Sequence, residues 1–126
     1  MKANELMIGD WVQLHGKNFR VTAIDGWHIY LKTTDGECTD QMACFLDPVP
    51  ITREILENNR FIRRSSEGYP EHYSYELPAD NMVFKVFALY DSDFSFNING
   101  CAMSIKYVHE LQHALRLCKI EKEIVL

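Results

Sequence analysis

At 126 residues the chain suffices for one compact domain, or for two very small ones, and not for a large core. Its 47% hydrophobic and 25% charged residues exclude a disordered or fibrous chain, and no apolar run approaches the length of a membrane span. A net charge of −5 and a pI near 5.5 disfavour non-specific binding to nucleic acid or to an anionic membrane.

Met1-Lys2-Ala3-Asn4-Glu5 leads into no apolar signal segment, so the chain reads as cytoplasmic. In that compartment its four cysteines, Cys38, Cys44, Cys101 and Cys118, stay reduced. No C-x-x-C pair occurs, and each cysteine is read as a small buried hydrophobe rather than a zinc ligand or half a disulfide.

Residues 1–50 read as all-β. Gly9-Asp10-Trp11-Val12-Gln13-Leu14 makes a first strand after a turn. Two β-rich runs, 18–24 and 27–33, flank Asp25-Gly26, a type I′ hairpin signal. A two-residue turn there pairs Ile24 with Trp27, Thr22 with Ile29 and Arg20 with Leu31. Asp35-Gly36 marks a second turn, and residues 43–46 read as a further short strand. Pro48-Val49-Pro50 then stops the ladder, because proline has no N–H to donate. Short strands with tight turns in fifty residues predict a small SH3-like β-barrel.

Beyond the prolines the pattern changes. Thr52 is a suitable N-cap for about two helical turns over 53–59. Arg60, Arg63 and Arg64 surround Phe61-Ile62, and residues 65–70 read as a loop. These arginines read as a solvated edge rather than an anion grip. Residues 73–77 alternate like a strand that Pro78 ends, and 82–90 form a longer β-rich run. Tyr69, His72, Tyr73 and Tyr75 make an aromatic patch whose expected role is packing.

The clearest local signal follows. Phe94, Phe96 and Ile98 alternate with polar residues, Asn99-Gly100 turns the chain, and Cys101, Met103 and Ile105 alternate in return. A two-residue turn pairs Ile98 with Cys101, Phe96 with Met103 and Phe94 with Ile105, all on one face. Asp91, Asp93, Ser95, Asn97 and Asn99 recur at alternate positions, faintly like a calcium loop, but Phe96 stands where that loop needs glycine. The period-2 rule makes them a strand's polar face. A helix from residue 107 or 108 to Cys118 carries an apolar stripe of Val108, Leu111, Ala114, Leu115 and Cys118, expected to pack on the hairpin. His109, Gln112, His113 and Arg116 then point away from it. Residues 120–126 read as a last strand or a docked tail.

That helix holds the one motif with direct chemical content. His109-Glu110-Leu111-Gln112-His113 is H-E-x-x-H, in which two histidines a turn apart bind zinc and the glutamate is general base to a bound water. Three features oppose the zinc reading. A catalytic zinc needs a third protein ligand, and only 13 residues follow His113. The histidine face lies opposite the packing stripe. His109 also falls in the first helical turn, where a glutamate at 110 serves the helix N-terminus.

The opening run 4–12 with Val21-Thr22-Ala23-Ile24-Asp25, the run Asp47-Pro48-Val49-Pro50-Ile51-Thr52-Arg53-Glu54-Ile55-Leu56, and Tyr107-Val108-His109-Glu110-Leu111-Gln112-His113 resemble a group of small proteins from Bacteroidetes genomes and their phages. The group's pattern reads roughly "(I/L)xPIPLT-x-E-x-L" and "YVH-x-LQ", with Asn often at the position of His113. The resemblance spans nearly the whole chain, least of all about 60–92. It implies no catalytic residues and no activity, only a cytoplasmic protein of a phage or mobile element.

The expected fold is α+β. A small SH3-like β-barrel half (1–50) precedes an antiparallel sheet with a short linking helix and a C-terminal helix (51–126), packed as one structural unit. The expected function is a non-enzymatic protein-interaction module with a protein partner and no cofactor. A zinc-dependent metallopeptidase with ligands His109 and His113 and base Glu110 is the second reading, and a nucleic-acid-binding accessory protein the third.

Overall fold

The computed structural model of the protein describes residues 1–66, 68–80, 82–90, 92–98 and 101–126, the side chains of 66, 70 and 98 excepted. It is an α+β chain with two antiparallel five-stranded sheets and a C-terminal helix. The chain divides into two compact units, Met1–Val49 with Tyr107–His109, and Pro50–Lys106 with Glu110–Leu126.

In the first unit, strands β1 (Trp11–Leu14), β2 (Lys17–Asp25), β3 (His28–Lys32), β4 (Cys38–Met42) and β5 (Asp47–Pro48) pair in the order β4-β3-β2-β1-β5. A built turn precedes β1. Asp10 N–H donates to Met7 C=O at 3.1 Å, and Gly9, at φ 94°, occupies the position of a type II turn that needs positive φ. The fully buried Asp10 carboxylate accepts from Met7 N–H at 2.8 Å, and Asp10 C=O accepts from Val21 N–H at 2.9 Å. Beside it, the Arg20 guanidinium lies 4.8 Å over the ring of buried Trp11. The core contains Leu6, Val12, Phe19, Val21, Ile29, Leu31, Ala43 and Leu46.

The β2–β3 hairpin forms, with a register other than the expected one. Asp25 pairs with His28, Ile24 with Ile29 and Val21 with Leu31, across a bulge between Val21 and Ala23. The turn residues are therefore Gly26 and Trp27, and only Gly26 has positive φ, the type II′ pattern. The core decides between the two registers. The Asp25-Gly26 turn would set Arg20 and Thr22 beside the buried Ile29 and Leu31. The bulge instead brings Val21 to their face, and the Thr22 hydroxyl donates to Tyr30 C=O at 3.2 Å. The Asp35-Gly36 turn is present, with Gly36 N–H donating to Thr33 C=O at 3.0 Å.

Two further expectations for this unit are corrected. Residues 43–46 form no strand, and Ala43–Phe45 is a 3₁₀ helix. Ala43 and Leu46 are buried while Cys44 and Phe45 are exposed, a three-residue spacing that a strand cannot supply. The strand lies earlier, as β4, which escapes a reading by apolar content because Cys38-Thr39-Asp40-Gln41-Met42 is mostly polar. Pro48 is tolerated in β5 because β5 is an edge.

The second unit begins with α1 (Arg53–Asn58), where the Thr52 side chain accepts from Ile55 N–H at 3.2 Å as expected of an N-cap. Strands β6 (Ile62–Ser66), β7 (Tyr69–Ala79), β8 (Met82–Leu89), β9 (Asp93–Ile98) and β10 (Cys101–Ser104) follow in a meander, ordered β10-β9-β8-β7-β6. Helix α2 (Val108–Leu117) comes last. Tyr75, Leu77, Phe84, Val86, Ala88, Phe94 and Phe96 are buried on the sheet, and Leu111, Ala114 and Leu115 on α2. Tyr75 packs against Phe94 and Phe84 against Phe96, with ring centroids 6.2 and 6.0 Å apart.

The expected loop over 65–70 is corrected in part: Ser65, Ser66, Tyr69 and residue 70 belong to β6 and β7, which pair as far as Ser66 with Tyr69. Pro78 does not end its strand; it pairs with Val83 in β7. Partner β6 stops at the Ile62–Glu76 pair, so at Pro78 that side of β7 is an edge and asks for no N–H.

The β9–β10 hairpin has the expected register, with Ile98 opposite Cys101 and Phe96 opposite Met103, while its Asn99-Gly100 turn lies outside the described residues. Its burial departs from expectation. Phe94, Phe96 and Ile105 are buried, whereas Cys101 is exposed and Met103 is 48% exposed. Register decides which face a side chain takes, but β10 is the sheet's edge, where cover thins out.

Both helices end alike. After α1, Phe61 N–H donates to Leu56 C=O and Arg60 N–H to Glu57 C=O, each at 3.0 Å, with Arg60 at φ 68°. After α2, Ile120 N–H donates to Leu115 C=O and Lys119 N–H to Arg116 C=O, each at 2.9 Å, with Lys119 at φ 58°. These are Schellman closures with a charged residue at the left-handed site that glycine favours.

Arg60→Gly should therefore raise stability by about 0.5–1 kcal/mol in urea unfolding, the relief of left-handed strain exceeding the added chain entropy. Phe96→Ala should cost about 3–5 kcal/mol, as for a buried phenylalanine, and Met103→Ala under about 1 kcal/mol. Equal losses at these two cross-strand partners would show that β10 is as well covered as β9.

Candidate functional site

The H-E-x-x-H segment lies on α2, but its side chains are engaged otherwise than metal chemistry requires. Glu110 is the third helical residue, and its Oε1 accepts from Lys106 N–H at 2.9 Å. It thus reaches back over the helix start to a main-chain donor, one residue before the N-cap donor that a capping-box glutamate takes. His109 is 5% exposed and stacks on Tyr107, with centroids 5.9 Å apart and ring planes 8° apart. His113, a turn further on, is half-buried. Among the described residues no group of three or more His, Cys, Asp or Glu side chains is placed to hold a metal ion.

The exposed histidine face expected from periodicity is corrected in part. Arg116 is exposed, but His109 and Gln112 are buried. At about 100° per residue Gln112 and His109 both lie to one side of Val108 on the helical wheel, so the buried stripe broadens to that side over the first two turns and narrows again by Arg116. A count that credits only apolar residues with burial misses an imidazole and an amide whose bodies pack.

The other sequence candidates dissolve into sheet surface. Arg64 Nε donates to Glu76 at 2.7 Å, and Lys85 Nζ lies 3.6 Å from the same carboxylate, a cross-strand stripe over β6, β7 and β8. Arg63 lies 3.5 Å over the Tyr73 ring. The tyrosine patch is divided between solvent and core: Tyr75 is buried, while Tyr69 is exposed and meets His72 edge-on at 5.7 Å. Asp93, Ser95 and Asn97 are alternate residues of β9; Asp91 and Asn99 lie outside the described residues. On α1 the Glu57 carboxylate, bonded to Arg53 Nε at 2.9 Å, raises the exposed guanidinium above its ordinary pKa. The cysteines are not the buried hydrophobes expected of them. Cys38, Cys44 and Cys101 are exposed and Cys118 half-buried, all as free thiols, because they sit at a strand start, on a 3₁₀ helix, at an edge strand and after a helix.

The concave site with binding character is one that sequence reasoning overlooked. In the first unit a pocket of about 630 Å³ is lined by the hairpin tip (Ile24, Gly26, Trp27), by Met42, Ala43 and Cys44, and by the first four residues. Trp27 is 76% exposed. The tip is anchored, since Trp27 C=O accepts from Ala43 N–H at 2.9 Å. Two further neighbours, His28 on β3 and Asp40 on β4, share an exposed side-chain hydrogen bond beside Tyr30. A signal existed: a tryptophan in a two-residue turn has no strand face to bury it. The Asp25-Gly26 dipeptide masks it, because its signal puts the turn one residue earlier than the observed one.

No protein-family model matches the chain, and neither a curated protein nor a solved structure is similar to it.

If Glu110 acts as a cap, Glu110→Ala should lower stability by about 1 kcal/mol, and Glu110→Gln, which keeps an acceptor oxygen, by much less. His109→Ala should cost more than His113→Ala, the latter under about 0.5 kcal/mol. Thermal melts of the four variants decide it.

Proposed function

We propose that the protein is a non-enzymatic interaction module that grips an apolar side chain of a partner protein in the Trp27 pocket. The observation carrying this reading is the exposed tryptophan at a hydrogen-bonded turn, edging a predominantly apolar cavity. Tryptophan is among the residues that most often dominate the energetics of protein interfaces, and the volume falls within the ~300–1,000 Å³ of binding clefts.

The first unit is read as an SH3-like barrel. Support comes from the strand order β4-β3-β2-β1-β5, the bulge that bends β2, and the 3₁₀ helix ahead of β5. Such small barrels commonly bind peptides. The four free thiols accord with a reducing, cytoplasmic setting, and the likeness to Bacteroidetes and phage proteins with service on a mobile element. The zinc-peptidase reading is not adopted, because Glu110 is used in capping its own helix.

The test is selection of a displayed random peptide library on the full chain. Peptides with a Leu, Ile, Phe or Met anchor should be enriched, bind Trp27→Ala about tenfold or more weakly, and bind Tyr69→Ala unchanged. Enrichment that ignores Trp27, or none at all, would reject the proposal.

A further inference from the structure

The two edges of the first sheet are finished differently. At one, β5 has two residues, of which one is Pro48. A short edge with a proline is blunted against further pairing. At the other, β4 has five residues, paired with β3 along its whole length without a register shift. It contains neither proline nor lysine.

The register shows which main-chain groups of β4 face outward. Ala43 N–H donates to Trp27 C=O and Thr33 N–H to Glu37 C=O, each at 2.9 Å, at the two ends of the β3–β4 ladder. Bonded pairs alternate in an antiparallel ladder, so Thr39 and Gln41 bond to β3 while Cys38, Asp40 and Met42 turn their N–H and C=O away from it. All three outward residues are exposed. Met42 N–H donates to Oε1 of the adjacent Gln41 at 2.9 Å, in contact with solvent. A side-chain oxygen thus holds the donor that the C=O of an added strand would take, and exchanging one acceptor for the other costs little.

This edge leads into the Trp27 pocket. Met42 ends β4, and Met42, Ala43 and Cys44 line the cavity together with Trp27. A strand added along β4 therefore meets main-chain partners at alternate residues and an apolar cavity at the strand's end. In β-augmentation the first supplies affinity and the second specificity. A second copy of β4 is a poor occupant. In the antiparallel register that uses all three outward residues, Cys38 meets the other copy's Met42 and Asp40 meets Asp40, and like charges directly opposite repel.

We infer that β4 takes up an extended segment of another protein as an added strand, with a non-acidic residue opposite Asp40 and the apolar anchor in the Trp27 pocket. The inference rests on the pocket reading for its anchor and adds the main chain as a second determinant.

The probe is the most strongly enriched of the displayed peptides, synthesised with fluorescein at its N-terminus and followed by anisotropy on the full chain. Asp40→Pro removes an outward N–H and leaves the ladder to β3, which uses residues 39 and 41. Asp40→Ala removes the same carboxylate and keeps that N–H, so comparing the two variants reads the main chain. Asp40→Pro should bind about tenfold or more weakly than Asp40→Ala. Wild type supplies a second measurement that holds even if Asp40→Pro does not fold. N-methylation along the peptide should weaken binding about tenfold or more at every second residue and much less in between. Equal binding by the two folded variants, or a flat N-methyl scan, would overturn the inference; where such peptides still need Trp27, the pocket reading survives it. Alternation without dependence on Trp27 would uphold the added strand and reject the pocket, and a library without binders rejects both. Sedimentation of the wild-type chain checks the occupant: a dimer that Asp40→Pro dissolves would put a second copy on β4 and overturn the choice of another protein.

Discussion

A left-handed residue closes each helix, and in the second unit much follows from the first of these closures. Helix α1 has six residues, too few to be stable by itself. It is defined at one end by the Thr52 cap and at the other by Arg60, whose positive φ reverses the chain. That reversal sends Phe61 into the core, starts β6 immediately afterwards, and leaves the side chain of Asn59 aimed at the 120–126 segment. Arg60 and Lys119 bear the strain that glycine would avoid; the two hydrogen bonds completing each closure offset it.

Both sheets handle their polar groups by the same rule. Prolines appear where a ladder has no use for an N–H, in the edge strand β5 and where β6 has run out beside β7. On the open face of the second sheet the Arg64–Glu76–Lys85 stripe is set by register, with Glu76 directly opposite Lys85. Exposed pairs of this sort contribute little to stability, about 0–1 kcal/mol, and serve mainly to keep that face wet. Burying Asp10 is a different matter. A carboxylate out of water is tolerable only with donors aimed at it, and the Met7 turn supplies one.

The H-E-x-x-H segment shows how a motif can be read correctly as residues and misread as chemistry. The same glutamate that would serve a zinc-bound water also suits the first turn of a helix, and here it takes the Lys106 N–H. Site geometry, not spacing, separates the two uses. Conversely the pocket around Trp27 contains no motif. It arises where a hairpin tip meets a 3₁₀ helix, two pieces some fifteen residues apart that the β3–β4 ladder brings together, with His28 opposite Met42 and Ala43 N–H donating to Trp27 C=O.

By itself the sequence determined what local chemistry controls: the Thr52 cap, the strand period from Phe94 to Phe96, the pairing of Phe96 with Met103, and the span of α2. Each depends on near neighbours, so propensity and periodicity suffice. Tertiary structure decided the rest. The β2–β3 turn moved by a residue because Val21, Ile29 and Leu31 had to share a core, and a bulge cost less than burying Arg20. Met103 faces the expected side yet remains half exposed, since register says which way a side chain points and only neighbouring elements say whether anything covers it. His109 and Gln112 are buried for the corresponding reason: cover is a property of the surroundings. Asn59 is the clearest case, an ordinary helix-end asparagine in the sequence whose partner, Val125, lies 66 residues away and is found only by folding.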